Sequence, residues 1–104
     1  MILVILLVAA VLEAGGDALV RAGLRSASVW RPLLFAMGGA VLFLYGYLVN
    51  TPDWNFGRLL GVYVVLFFLV AQAISWVAFK QTPDGSTMVG GAFIVAGGLI
   101  MSYR

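Results

Sequence analysis

The chain has 104 residues, of which 63% are hydrophobic and only 10% charged, with no Cys and no His, against roughly 45–50% apolar and about 25% charged in an ordinary soluble domain. That balance excludes a water-soluble globule, and the missing Cys and His exclude disulfides, thiolate chemistry and the usual zinc ligands. No G-x-x-x-x-G-K-S/T phosphate loop is present. No enzyme activity, metal or cofactor is therefore expected, and the net charge of +2 reads as membrane topology rather than affinity for nucleic acid.

The first apolar run predicts helix 1 over about 2–22. It lacks a preceding basic stretch, carries acids and offers no convincing cleavage site, so it is expected to stay as a helix rather than be removed as a secretory signal. Arg21, Arg25 and Arg31 follow, and Pro32, suited to a first helical turn, opens helix 2 over 32–49. The turn-prone Asn50-Thr51-Pro52-Asp53-Trp54-Asn55 leads into helix 3 over 56–79. Lys80-Gln81-Thr82-Pro83-Asp84-Gly85 separates it from helix 4 over 87–103, for which Ser86 or Thr87 is the expected cap. An unpaired backbone group in hydrocarbon costs several kcal/mol, so each run must be a helix. The prediction is an all-α membrane protein, a bundle of four transmembrane helices forming one domain over 1–104. Trp30, Trp54, Trp76 and Tyr103 fall near helix ends, where amphipathic rings anchor in the headgroup layer.

Four crossings put loops 1 and 3 on one side of the bilayer, and loop 2 with both termini on the other. The first side carries Arg21, Arg25, Arg31 and Lys80, the second Arg58 and Arg104. The positive-inside rule therefore places both termini on the non-cytoplasmic side.

Glu13 lies eleven residues into helix 1, about 17 Å along a hydrocarbon core about 30 Å thick. A charged carboxyl at mid-bilayer costs a few kcal/mol, so the group is expected to carry a proton or to be neutralised by a cation, as intramembrane acids on ion and proton paths are. The plainer alternative is a protonated Glu13 that only hydrogen-bonds between helices. Asp17 and Arg21 continue the stripe at successive i+4 steps. They are expected to pair with each other, the rival being Asp17 as a second carrier or as a vestibule acid that draws cations toward Glu13. In helix 4, Gly90, Gly91, Gly97 and Gly98 form two pairs spaced by seven, which returns a helix to within about 20° of the same face. Small residues let membrane helices meet closely, so this face is a candidate dimer seam, with packing inside the chain as the alternative. Tyr63 of helix 3 is a candidate pocket wall able to lend its hydroxyl to Glu13. Tyr45 and Tyr47 of helix 2 are weaker candidates for the same pocket, and Gln72 with Ser75 is expected to hydrogen-bond between helices.

An acid amid helix 1, an aromatic in helix 3 and a seven-spaced glycine pair in helix 4 of so short a chain resemble the small multidrug resistance family of exporters. The resemblance runs end to end. Its best stretches are Leu12-Glu13-Ala14-Gly15-Gly16 and Ser75-Trp76 through Phe79, Gln81 and Asp84 to Gly90, Ala96, Gly97 and Ile100. Arg25-Ser26-Ala27-Ser28-Val29-Trp30, and Gly57-Arg58 before Gly61-Val62-Tyr63-Val64, look more like the YnfA-type branch of that superfamily. The resemblance implies that Glu13 takes the role of the essential acid, Tyr63 that of the pocket aromatic, and Gly90 with Gly97 that of the dimer seam. It also implies a multi-pass protein of the bacterial inner membrane. Gly16 stands where guanidinium exporters have Trp, no small hydroxyl occurs around Val41 to Leu44, and Val65 and Phe67 replace helix 3 glycines.

Together these readings lead to a dimeric, proton-coupled antiporter that exports small organic or quaternary ammonium cations, with Glu13 alternately binding proton and substrate. The expected partners are the lipid bilayer, the small cationic substrate, and a second copy or a paralogue completing a homodimer or heterodimer. The rival reading is a non-transporting or heterodimer-dependent membrane subunit, a helper or lipid flippase component. The basic bias favours it, because one dominant orientation suits a parallel pair or a heterodimer more than an inverted homodimer.

Overall fold

Backbone polar groups in hydrocarbon must find partners within their own segment, and the chain meets this demand with four α-helices. The computed structural model describes residues 1–27 and 29–103. It contains α1 (Ile2–Leu24), α2 (Arg31–Val49), α3 (Phe56–Phe79) and α4 (Gly85–Ser102), all long and apolar enough to cross a membrane, and no strand among the described residues. Ser28 of the first loop and Arg104 of the charge count lie outside the described residues.

The helix ends follow from local hydrogen bonds. α1 runs two residues past its expected end because Arg31, at the start of α2, reaches back to it. Its Nε donates to the Gly23 carbonyl at 3.1 Å, and its Nη2 lies 3.4 Å from the carbonyls of Leu24 and Ser26, supplying donors that the last turn lacks. The Asn55 side chain accepts from the Arg58 N–H at 3.2 Å and starts α3. α3 ends with Lys80 in the left-handed region, φ 57°, so that the Lys80 and Gln81 amides turn back to the carbonyls of Trp76 and Ser75. α4 begins at Gly85, two residues before its expected start. Its cap is Asp84 rather than Ser86 or Thr87, with Asp84 Oδ1 accepting from the Thr87 N–H at 2.8 Å and from the Ser86 hydroxyl at 3.1 Å. A carboxylate there also meets the positive end of the helix dipole. These bonds hold the Asp84 carboxyl below its ordinary value of 3.8, the Thr87 backbone N–H being the largest cause.

The four helices of the expected all-α membrane fold pack unevenly. α1 and α3 lie side by side, α2 flanks α1, and the α4 backbone packs on α3 alone. The molecule measures 49 × 34 × 19 Å, so its thin dimension is about two helix diameters. The core lies where the N-terminal half of α1 meets the end of α2 and the start of α3. Leu6, Ala9 and Ala10 pack there with Val49, Leu59, Val62 and Tyr63. No polar or charged residue is fully buried among the described residues.

Glycine sets the closest approach of α1 to α2. A Cβ on Gly16 would sit 2.8 Å from Leu42 Cγ and 3.1 Å from the Gly38 carbonyl oxygen, and one on Gly38 would sit 3.0 Å from the Gly16 carbonyl oxygen. Close backbone contact is what drives association where lipid removes the hydrophobic gain. Trp30, Trp76 and Tyr103 are exposed at helix ends, as anchors require. Trp54 departs from this pattern: it packs against the core, with the Arg58 guanidinium 4.6 Å from its ring centroid. Arg58 is tied down a second time, its Nε donating to the Met101 carbonyl at 3.1 Å in the last turn of α4.

Candidate functional site

Small residues on α1 make room for the site. Ala9, Ala10 and Ala14 are buried, and the Tyr63 side chain of α3 comes in beside them. Tyr63 is 3% exposed, and its hydroxyl donates to Glu13 Oε1 at 2.7 Å while lying 3.3 Å from the Ala9 carbonyl oxygen. Glu13 itself is half-buried. The Tyr63 ring stacks on Tyr45 of α2, centroids 5.7 Å apart, and on Phe67 one turn along α3, centroids 6.1 Å apart. Three elements thus bring one carboxyl group and three aromatic rings together.

Phe67 was not among the residues expected here. Its position, i+4 from Tyr63, is the signal that could have found it, since residues four apart share a helix face. Tyr47 points elsewhere and is 71% exposed. The geometry suits the exchange of small charges. A hydroxyl can donate to a carboxyl oxygen whichever way that group is neutralised, and ring faces beside it attract an organic cation electrostatically.

Asp17 and Arg21 do not join this cluster, nor do they form the pair expected of them. Asp17 is exposed. The Arg21 guanidinium turns instead to α3, 5.0 Å from the centroid of Phe79, and its Nε is buried with no hydrogen-bond partner. An i+4 spacing puts two side chains within reach, but a ring on the neighbouring helix takes the arginine. Both residues line a cavity of about 270 Å³ between α1 and α3.

Ser75 does not bond between helices, as expected, but donates to Gln81 Oε1 at 3.2 Å within its own helix exit. Gln72 lines a separate cavity between α3 and α4. The four glycines of α4 divide. Gly91 and Gly98 are buried within the chain, where a Cβ would run into Phe68 and Val65 respectively, whereas a Cβ on Gly90 or Gly97 would meet nothing within 4 Å. Of the four expected at a subunit seam, only Gly90 and Gly97 face open space. The departures from the exporters also find physical reasons. Leu42 and the Gly38 carbonyl leave no room for a Trp at Gly16, Val65 fills the face of α4 at Gly98, and Phe67 extends the ring stack.

No protein-family model and no solved structure matches this chain. UPF0060 membrane proteins of Staphylococcus aureus strains JH9, Newman and Mu3 do, each 31% identical over 98 residues, which are 93% of this chain and 89% of the relative. With four apolar helices that fit the small multidrug resistance superfamily, the chain belongs to the UPF0060, or YnfA-type, family of membrane proteins.

Proposed function

We propose that this multi-pass membrane protein is a proton-coupled antiporter for small organic cations, with Glu13 holding either a proton or the substrate. The observation that carries the proposal is the Tyr63 hydroxyl 2.7 Å from Glu13 Oε1, beneath stacked rings and beside a half-buried acid in the span. A carboxyl at that depth favours a neutralised state, and one negative charge is neutralised by one proton or one cation. Competition for that charge couples the two fluxes. Tyr63 steadies the deprotonated oxygen, while the faces of Tyr45, Tyr63 and Phe67 favour cations whose charge is spread over carbon. A second copy of the chain, or a paralogue, packs against the open Gly90–Gly97 face of α4 and completes the chamber. The positive-inside rule gives the side carrying loops 1 and 3 to the cytoplasm.

The test is proton release on adding a quaternary ammonium compound to purified protein in weakly buffered solution. The wild type releases protons on binding and Glu13→Gln does not; undiminished release in Glu13→Gln would refute the assignment. The basic bias of loops 1 and 3 supports a second reading, a half-transporter that works only with an oppositely inserted paralogue. Reporters fused to the C-terminus bear on this reading, because a signal on one side alone excludes an inverted homodimer and a signal on both sides removes the need for a paralogue.

A further inference from the structure

The cavity between α1 and α3 toward loops 1 and 3 is separate from the Glu13–Tyr63 contact and holds two opposite charges that are not spent on each other. Its walls include Asp17, Arg21, Phe67, Ser75, Phe79 and Gln81, around about 270 Å³. Arg21 is held on the Phe79 ring with its Nε buried and unpartnered. A guanidinium has five N–H donors and no acceptor, and the groups that match its fork are carboxylate and phosphate. Asp17 stands one turn deeper, about 6 Å along α1 toward Glu13, and its carboxylate attracts an ammonium group. Phe67 adds an aromatic ring to the same wall.

A plain cation would satisfy Asp17 and leave the arginine unmet, and would be repelled by it. A plain anion meets the reverse difficulty. From this juxtaposition we infer that the cavity is a vestibule for a small, water-soluble amphoteric molecule, its anionic end on Arg21 and its ammonium end on Asp17. Bound in that sense, the molecule points its ammonium group along α1 toward Glu13. The inference deepens the antiport reading by naming a substrate class and rests on that reading for the onward step; binding in the vestibule does not depend on it.

Equilibrium dialysis of the full-length protein in phosphatidylglycerol nanodiscs, at one pH and without a gradient, tests the vestibule with glycine betaine, tetramethylammonium and acetate as probes. The wild type is expected to bind glycine betaine at least about tenfold more tightly than either singly charged probe, the worth of one charge-assisted hydrogen bond. Arg21→Gln removes the margin over tetramethylammonium, and Asp17→Asn removes the margin over acetate. Arg21→Lys keeps the charge without the planar guanidinium fork, loses part of the margin, and guards against misfolding of Arg21→Gln. Equal binding of the three probes by the wild type, or a margin that survives in both Arg21 variants, overturns the inference. So does loss of the margin when phosphatidylethanolamine replaces phosphatidylglycerol, which would give the site to a lipid headgroup. No proton is counted in this measurement, and the same margin is expected in Glu13→Gln, where no cation is held at Glu13, so its failure leaves the Glu13 exchange standing and failure of that exchange leaves the vestibule standing.

Discussion

Glu13 and Asp17 stand one turn apart on α1, yet their surroundings differ almost completely. Glu13 is half-buried and held at 2.7 Å by the Tyr63 hydroxyl, against a stack of three rings from α2 and α3. Asp17 is exposed in a cavity whose arginine has turned away to Phe79. One acid is enclosed and the other open, although the sequence writes them as one stripe. α4 repeats the contrast with glycine, Gly91 and Gly98 closed by α3 while Gly90 and Gly97 stay open. On each helix the face decides what a residue does, and adjacent positions can divide between packing inside the chain and contact with something outside it.

The sharpest way to break this comparison is on α4. Gly98→Ala forces a methyl group into Val65, and overpacking of this kind costs about 1–3 kcal/mol. Steric trapping or denaturant unfolding in detergent should find that loss in the single chain. Gly97→Ala, with nothing within 4 Å of the new Cβ, should change single-chain stability by less than about 0.5 kcal/mol and instead weaken self-association in a concentration-dependent assay. Equal losses from the two substitutions would erase the distinction between the faces.

On α1 the expected effect is somewhat smaller. Tyr63→Phe removes a hydrogen bond to a carboxyl group that is protonated before cation binds, and is expected to lower stability by about 0.5–1.5 kcal/mol and to weaken quaternary ammonium binding, read by the same unfolding assay and by titration. Asp17→Asn, at an exposed position, should stay within about 0.5 kcal/mol of wild type. Similar costs for both would mean that the two acids share one environment after all.

The smallest effect lies outside the span. Hydrogen bonds hold the folded Asp84 carboxyl below its ordinary 3.8, so its contribution to the α4 cap is complete above the unfolded value and fades as pH falls through the folded one. Protection factors of the Thr87 and Met88 amides, exchange rates corrected for the intrinsic effect of pH, should therefore fall slightly in acid below that range. Asp84→Ala should be less protected at these amides at pH above that range and lose the acid step; an unchanged step would mean that another group produces it.

The helix count, spans and central acid were legible in the sequence because hydrocarbon leaves the backbone no other partner, so apolar runs and their Pro and Asn boundaries nearly fix the helices. Helix ends slipped by about two residues where a partner came from beyond the run, as Arg31 does for α1 and Asp84 for α4. That the α4 backbone packs on α3 alone was not legible, since an apolar surface looks the same whether it meets lipid or another helix. Spacing by seven put the α4 glycines in register but could not say which of each pair meets α3. The pairing expected of Asp17 and Arg21 failed for the same reason: the ring that takes the arginine sits 58 residues away in the chain. Tyr63 was legible as a helix 3 aromatic able to lend its hydroxyl to Glu13, and Phe67 was within reach through its helical spacing from Tyr63.

The central claim is that one carboxyl group holds either a proton or a cation. Isotope-edited infrared difference spectroscopy of Glu13, at constant pH and with a quaternary ammonium compound added stepwise, tests it most directly. The account predicts that the protonated carboxyl band of Glu13 falls and the carboxylate band rises in proportion to bound cation; a protonated band that stays constant to saturation would contradict it.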